Sequence, residues 1–176
     1  MSTLNKFRAI GLAIALLIFI ADQWVKKFVV EDLGLDRIGE QYPLLPFFDF
    51  TRTNNYGVSL GLFEATSMEM RWILVGVTAI IACVVAVWMF REKLFGDIAA
   101  LSLVLGGALG NIRDRWLHGY VIDYADLHFG DFRPFLIFNI ADAAITIGVV
   151  IILARALFMR EKPDDGQDAA MPDKSS

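Results

Sequence analysis

The chain has 176 residues, of which 56% are hydrophobic and 20% are charged, with a formal net charge of −4 and a mean hydropathy of +0.53. A soluble domain of this length does not need so much apolar surface, so the composition favours a membrane protein. The sequence has no basic stripe suited to nucleic acid and no Walker or dinucleotide-binding glycine motif.

Apolar residues are concentrated in four blocks, each near the roughly 20 residues that a helix needs to cross a bilayer. The second block is the cleanest, because it contains no charged residue. Helices of a soluble bundle show a polar face, and this block has none. We therefore predict an all-α membrane protein with a four-transmembrane-helix bundle. The predicted helices cover residues 10–30, 72–90, 98–117 and 135–158.

The first block follows Lys6 and Arg8, so a cleaved signal peptide is an alternative. A signal peptide ends in small residues at a cleavage site. Here the apolar core runs instead into Asp22 and Lys26, and we predict an uncleaved helix. These two residues are four apart and share a helix face, which we interpret as a structural pair at the helix end.

The segment between the first two blocks, residues 31–71, is too long for a simple turn. Residues 47–53 alternate aromatic or β-branched residues with polar ones, which predicts a short strand or hairpin. Asn55 and Gly57 follow in a turn-like sequence. We predict a small extracytoplasmic β cradle that continues into a short helix before Arg71.

The third block ends in polar residues. Asn111 and Arg115 are four apart and share a helix face. Near a membrane boundary, Arg115 would either orient a carboxylate or reach lipid phosphates, and the local sequence leaves both open. Asp114 is flanked by arginines, and we interpret it as a salt-bridged helix end.

Two acidic residues are the strongest candidates for chemistry. Asp123 follows the third block in a strand-like stretch, and Asp142 is the only charged residue between positions 134 and 154. Inserting Asp at the centre of a membrane helix costs about 2.5–3.5 kcal/mol on translocon scales, so such a residue usually marks a functional site. Asn139 lies three residues before Asp142 and shares its helix face.

A close pair of carboxyls in a desolvated site shares one proton. The ionised member then activates a water, while the protonated member polarises a carbonyl, so a peptide bond is hydrolysed without a metal or a nucleophilic side chain. His118 and His128 are the only histidines and no H-E-x-x-H motif occurs, so we predict no metal and no cofactor. Asp126 and Asp131 are competing carboxylates that we expect to be solvated in a loop.

These motifs together resemble the bacterial lipoprotein signal peptidase family, also called signal peptidase II. The resemblance rests on five segments in the same order: Asp22-Gln23-x-x-Lys26, Asn55-x-Gly57, Gly106-Gly107-Ala108-Leu109-Gly110-Asn111-x-x-Asp114-Arg115, Val121-Ile122-Asp123 and Phe138-Asn139-x-Ala141-Asp142-Ala143. One departure lies in the predicted cradle, where Ser59-Leu60 replaces the Ala-Phe that the family commonly carries.

The resemblance implies a membrane aspartyl endopeptidase that cleaves the signal peptide of a prolipoprotein immediately before a diacylglyceryl-modified cysteine. The family's catalytic pair falls on Asp123 and Asp142. The other motif positions are implied to bind or orient substrate, at Asn55, Gly57, Asn111, Arg115 and Asn139, or to support the structure, at Asp22, Lys26 and Asp114. Expected partners are prolipoproteins and membrane lipids, with no nucleic acid, and we expect a monomer.

The basic residues of the short flanking segments predict the orientation in the bacterial inner membrane. They fall on one side of a four-helix topology, at Lys6, Arg8, Arg91, Lys93, Arg160 and Lys162. The positive-inside rule makes that side cytoplasmic. We therefore expect both termini in the cytoplasm and the active site near the outer face. We predict one domain over residues 1–160, followed by a disordered polar tail over 161–176.

Two other functions use the same residues. In a small transporter or proton relay, the intramembrane carboxylates would carry protons or ions. In a scaffold, the membrane charges would only hold the helices together. The relay predicts charge movement across liposomes, whereas the scaffold predicts that neutralising variants lose folded protein.

Overall fold

The computed structural model describes residues 2–58, 63–64 and 68–158. Its elements follow in the order α1 (Thr3–Lys27), a π-helical turn (Phe28–Asp32), β1 (Gln41–Leu45), β2 (Phe48–Asn55), β3 (Gly57–Val58), β4 (Phe63–Glu64), α2 (Met68–Arg91), α3 (Phe95–His118), β5 (Val121–Leu127) and α4 (Ile140–Phe158). All four α-helices are long and apolar enough to cross a membrane. The predicted four-helix membrane fold is confirmed.

Helix α3 lies at the centre of the bundle. In its most apolar stretch 56% of the residues are buried inside the protein, against 11–17% in the other three helices, whose apolar side chains face outward. Small residues let the neighbouring helices approach α3 closely. A Cβ at Gly106 would lie 2.5 Å from the carbonyl oxygen of Ala15 in α1, and one at Gly107 would lie 2.4 Å from that of Ala141 in α4.

A three-stranded antiparallel sheet, in the order β1-β2-β5, packs on one end of the bundle. Thr53 pairs with Asp123 in this sheet, and β3 pairs separately with β4. Buried apolar residues of the π-helical turn, of the segment that follows it and of β5 form a cluster that holds the sheet on the helices, namely Val29, Leu35, Ile122, Tyr124 and Ala125. The strand or hairpin predicted at 47–53 is confirmed by β1 and β2, and the strand-like stretch that contains Asp123 is β5.

Several sequence-based predictions concern residues outside the part of the chain that the structure describes. Ser59-Leu60 and the polar tail over 161–176 lie outside the described residues. The short helix predicted before Arg71 falls largely on residues 59–62 and 65–67, which are also outside them. Of the described residues there, 63–64 form β4 and α2 has already begun at Met68.

Three helices begin earlier than predicted, and the fourth begins later. Polar residues at the ends of α1, α2 and α3 continue the helix beyond the apolar block, and Ser2 caps α1 by accepting a hydrogen bond from the Asn5 N–H. Helix α4 begins at Ile140 rather than at 135, because Phe138 is extended and exchanges backbone hydrogen bonds with Ala125 of β5. An apolar run does not by itself distinguish an extended segment from a first helical turn.

Candidate active site

Asp142 lies in the first turn of α4, where the helix dipole stabilises a negative charge. Asn139 is the residue before the helix, and its side-chain oxygen accepts a hydrogen bond from the Asp142 N–H at 2.8 Å. This is an N-cap, and it fixes the backbone of Asp142. The Asp142 carboxylate, which is partly exposed, accepts a hydrogen bond from Nδ2 of Asn111 in α3 at 2.8 Å.

Asp123 lies in β5 and is 2% exposed. Its Oδ1 accepts a hydrogen bond from Nδ2 of Asn139 at 2.6 Å, and the side chain of Asn55 in β2 hydrogen-bonds to the same carboxyl group. Oδ1 of Asn55 in turn accepts from the Gly57 N–H at 3.1 Å. The sheet therefore brings Asn55 to Asp123, and Gly57 of β3 holds the Asn55 side chain.

Two asparagine side chains connect the carboxylates. Nδ2 of Asn139, which donates to Asp123, also lies 3.4 Å from Oδ1 of Asn111, whose own amide nitrogen donates to Asp142. Asn139 is fully buried and its amide nitrogen is also 3.3 Å from the carbonyl oxygen of Ile122. A continuous hydrogen-bonded path thus runs from Asp123 to Asp142 and orients both carboxyl groups.

The charges of the site favour a proton on Asp123. Burial and, secondly, the charge of Asp142 raise the pKa of Asp123 to about 7, against the opposing hydrogen bonds from Asn55 and Asn139 and the charge of Lys26. A carboxyl with this pKa keeps its proton below about pH 7 and loses it above. The site therefore combines a proton donor with a second carboxylate on a helix N-terminus.

Arg115 is the cation of this site. It lies on α3 and interacts electrostatically with Asp142, Asp123 and Asp114. Its Nε is buried and has no hydrogen-bond partner within the part of the chain that the structure describes. Arg71 fixes the Arg115 backbone, because its Nε donates to the Arg115 carbonyl at 2.8 Å. Of the two roles left open by the sequence, this placement favours the orientation of carboxylates.

A second group of charges lies beneath the carboxylate pair. Nζ of Lys26 is 2.7 Å from Oδ2 of Asp22 and 2.8 Å from Oδ2 of Asp114, and the three side chains are at most 3% exposed. The predicted pairing of Asp22 with Lys26 is confirmed. Asp114 is indeed salt-bridged at a helix end, with Lys26 rather than with either flanking arginine as its ion-pair partner.

The two competing carboxylates differ in burial. Asp131 is exposed, as expected for a loop residue. Asp126 is only 1% exposed, so its predicted solvation is wrong. The reason is the pairing of β5 with β2, which places Asp126 next to Thr51, and Arg133 from the segment after β5 also contacts it. The Thr51 hydroxyl donates to Asp126 at 3.0 Å, and Nε of Arg133 donates at 3.0 Å.

The two histidines contact residues other than the carboxylate pair. Nε2 of His128 is 3.2 Å from Oδ2 of Asp49, and His118 is exposed beside the Tyr120 ring. Over the described ranges, no group of three or more His, Cys, Asp or Glu side chains is arranged to hold a metal ion.

An apolar cavity of about 320 Å³ opens beside Asp142. Its walls are formed by the segment before α4 and by the first turns of that helix, at Phe135, Leu136, Phe138, Ala143, Thr146 and Ile147. Phe135 and Leu136 are more than 60% exposed on the apolar surface of the bundle. The cavity therefore connects Asp142 with the exposed apolar surface of the bundle.

Sequence reasoning assigned no role to two residues of this region, Gln23 and Arg71. Nε2 of Gln23 donates to Oδ2 of Asp22 at 3.1 Å and to Oδ1 of Asp114 at 2.9 Å. Gln23 occurs in the first motif segment, which was the only signal available for it. Arg71 lies in no motif segment, and only its contact with the end of α3 indicates a role for it.

Comparison with known proteins gives a consistent result. Residues 14–158 match the family model described as signal peptidase (SPase) II. The lipoprotein signal peptidase of Sphingopyxis alaskensis is 50% identical over 171 residues, which covers 97% of both chains. That of Rhizorhabdus wittichii is 47% identical over 164 residues, covering 92% of this chain and 95% of the relative.

Two solved structures, both described as bacterial membrane enzymes studied by the in meso method, share the fold. The one at 2.3 Å resolution superposes with a TM-score of 0.76 at 27% identity, covering 93% of this chain and 95% of the other. The one at 1.9 Å resolution has a TM-score of 0.73 at 30% identity, covering 87% and 95%.

Proposed function

The chain belongs to the signal peptidase II family, and we propose that Asp123 and Asp142 are its catalytic pair. It is an aspartic peptidase of the bacterial inner membrane that processes lipoproteins. We further propose that it cleaves a prolipoprotein immediately before the diacylglyceryl-modified cysteine.

The observation that carries the proposal is the hydrogen-bonded path that joins the two carboxylates through Asn139 and Asn111. It orients both groups, and the raised pKa of Asp123, caused by burial and by the nearby charge of Asp142, favours Asp123 as the proton donor of the pair. Two carboxyls in opposite protonation states are what water activation requires.

In the proposed reaction, the Asp142 carboxylate removes a proton from a water molecule. The resulting hydroxide attacks the scissile carbonyl carbon, while Asp123 donates its proton to the carbonyl oxygen. The gem-diol then collapses: the C–N bond breaks, Asp142 gives its proton to the leaving amine, and a gem-diol hydroxyl returns a proton to Asp123. Both carboxyl groups end in their starting states, and Arg115 holds the orientation of the pair.

The apolar cavity beside Asp142 supports a substrate that arrives through the bilayer. Both the signal helix of a prolipoprotein and its acyl chains partition into lipid, so the substrate reaches the cavity by lateral diffusion. Phe135, Leu136 and Ile147 offer it an apolar surface next to the carboxylate.

We also propose the orientation predicted from the sequence, with both termini in the cytoplasm. Lys6 and Arg8 lie near the start of α1, whereas Asp123 lies past the opposite end of a neighbouring helix. The positive-inside rule then locates the catalytic pair near the outer face. Reporter fusions at the C-terminus and in the segment between α1 and α2 test this orientation. We expect the protein to act as a monomer in contact with membrane lipids.

The test is cleavage of a diacylglyceryl-cysteine precursor peptide by protein in lipid nanodiscs, with an unlipidated peptide and a chelator as controls. We expect Asp123→Asn and Asp142→Asn each to lower kcat by at least about 100-fold, because each loses one proton-transfer group. Asp131→Asn is the matched control, since this aspartate is exposed. Normal cleavage by either dyad variant would refute the assignment. Charge movement in liposomes without cleavage would identify a proton relay instead.

A further inference from the structure

The buried ion group beneath the site consists of Asp22, Lys26 and Asp114. Its two carboxylates accept hydrogen bonds from backbone N–H groups in addition to their ion pairs with Lys26. Oδ1 of Asp22 accepts a hydrogen bond from the Ala141 N–H at 3.0 Å, and Oδ2 of Asp114 accepts one from the Ile122 N–H at 3.2 Å. Ala141 directly precedes Asp142, and Ile122 directly precedes Asp123. Each carboxylate of the ion group therefore holds the backbone next to one member of the proposed catalytic pair.

We propose that Lys26 is a positioning residue for the catalytic pair: its ammonium group, shared by Asp22 and Asp114, sets the spacing between the backbone amides that precede Asp142 and Asp123. The inference rests on the proposed function, because it takes these two aspartates as the reacting groups. Through Lys26, helix α1 controls the geometry of β5 and α4.

The physical basis is the cost of burying charge. A buried carboxylate is tolerated only when it is paired and hydrogen-bonded, so Asp22 and Asp114 must both stay within reach of the same ammonium group. Gln23 reinforces this arrangement by donating to both carboxylates. Gly110 leaves room for it, since a Cβ there would lie 2.6 Å from Oδ2 of Asp22. Four elements are thereby fixed around one nitrogen atom.

The same group carries charge that acts on the site. Two carboxylates around one ammonium leave an excess of one negative charge. Lys26 interacts electrostatically with Asp123 and opposes the increase in its pKa that burial and Asp142 cause. The groups that face Asp123 come from every neighbouring element: Asp142 and Asn139 at α4, Lys26 from α1, Arg115 from α3 and Asn55 from β2.

Two substitutions change this charge in opposite directions. Lys26→Met removes the positive charge, so the proton on Asp123 is held more strongly and the alkaline limb of the pH–kcat/KM profile moves to higher pH. Asp114→Asn removes a negative charge, so the limb moves to lower pH. In both variants we expect kcat to fall with KM unchanged, by up to about 100-fold for Lys26→Met, because small misplacements of reacting groups have effects of this size.

The matched control is Lys27→Met, the same substitution at the next residue. Lys27 is 65% exposed and pairs only loosely with Glu31 at 3.6 Å. We expect its kcat, KM and pH profile to equal those of the wild type. Thermal unfolding in the same nanodiscs establishes that each variant is folded before its kinetics are compared. Lys26→Arg retains the charge, so its alkaline limb should stay at the wild-type position.

Each outcome decides the inference. A folded Lys26→Met protein with wild-type kcat and pH profile overturns it. A loss of kcat with an unmoved alkaline limb in both variants also overturns it, because Lys26 would then only support the fold. If Lys26→Met does not fold, Asp114→Asn decides alone, since it leaves the balanced pair of Asp22 and Lys26. Activity in the two dyad variants would instead refute the catalytic pair itself, whatever the Lys26 variants show.

Discussion

The side chain of Asn139 makes two contacts, and a pair of substitutions tests them separately. Its side-chain oxygen caps α4 at the Asp142 N–H, and its amide nitrogen donates to Asp123. Asn139→Ala loses both hydrogen bonds. Asn139→Ser keeps an N-cap oxygen but is too short to reach Asp123.

The magnitudes follow from these contacts. Loss of an N-cap costs about 1 kcal/mol, and loss of a hydrogen bond that leaves a buried acceptor unsatisfied costs about 1–3 kcal/mol. Asn139→Ala should therefore lower the free energy of unfolding by about 2–4 kcal/mol, by adding these two contributions. Asn139→Ser should keep the capping part of that stability. Both variants should lose activity, because the Asp123 carboxyl is no longer oriented.

The pH profile gives a second measure of the same substitutions. Burial and Asp142 raise the pKa of Asp123, whereas the hydrogen bond from Asn139 lowers it. Its removal raises the pKa further, so Asp123 stays protonated to higher pH. The alkaline limb of kcat/KM should move upward equally in the Ala and Ser variants.

The assay combines thermal unfolding with cleavage of the lipidated peptide between pH 5 and 9. Equal stabilities of the Ala and Ser variants would contradict the capping role. An unmoved alkaline limb in both would contradict the contact between Asn139 and Asp123 as the cause of the effect.

Two further predictions concern the wild-type pH dependence and the packing of the bundle. Because the pKa of Asp123 is raised to about 7 by burial and by Asp142, the proton donor is lost as the pH rises through this value, and kcat/KM should decline above about pH 7. A profile flat to pH 9 would contradict the role of Asp123 as donor. Gly107→Ala should lower the free energy of unfolding by about 1–3 kcal/mol, since the new Cβ would lie 2.4 Å from a backbone oxygen of α4. Gly76→Ala, which meets nothing within 4 Å, is the control and should unfold at or above the wild-type temperature.

The membrane helices were predictable because a bilayer imposes a simple requirement on sequence. Each span needs a long apolar run, and α2 shows one without any charge. The ends of the spans were not predictable to the same degree. Residues 135–139 are as apolar as a helix, yet Phe138 pairs with β5 and delays the start of α4 to Ile140. A backbone pairing with a distant strand leaves no mark in local hydropathy.

The residues of the site also divide into those that the sequence predicts and those that depend on tertiary contacts. Asp142 was recognisable because a carboxylate in an apolar segment is rare and costly. Asp123 was separated from its competitors Asp114, Asp126 and Asp131 by the resemblance to the family. The burial of Asp126 was not recognisable, because it depends on the pairing of β5 with β2 rather than on neighbouring residues. The joint use of Lys26 by Asp22 and Asp114 depends in the same way on the packing of α1 against α3.

The sequence alone therefore determined the number of spans and singled out Asp142, since both follow from the free energy of transferring individual side chains into lipid. Only the tertiary structure decided which amides orient the carboxylates and which cation lies beneath them. Hydrogen bonds and ion pairs act over a few ångströms, and those distances are set by how the helices and the sheet pack together.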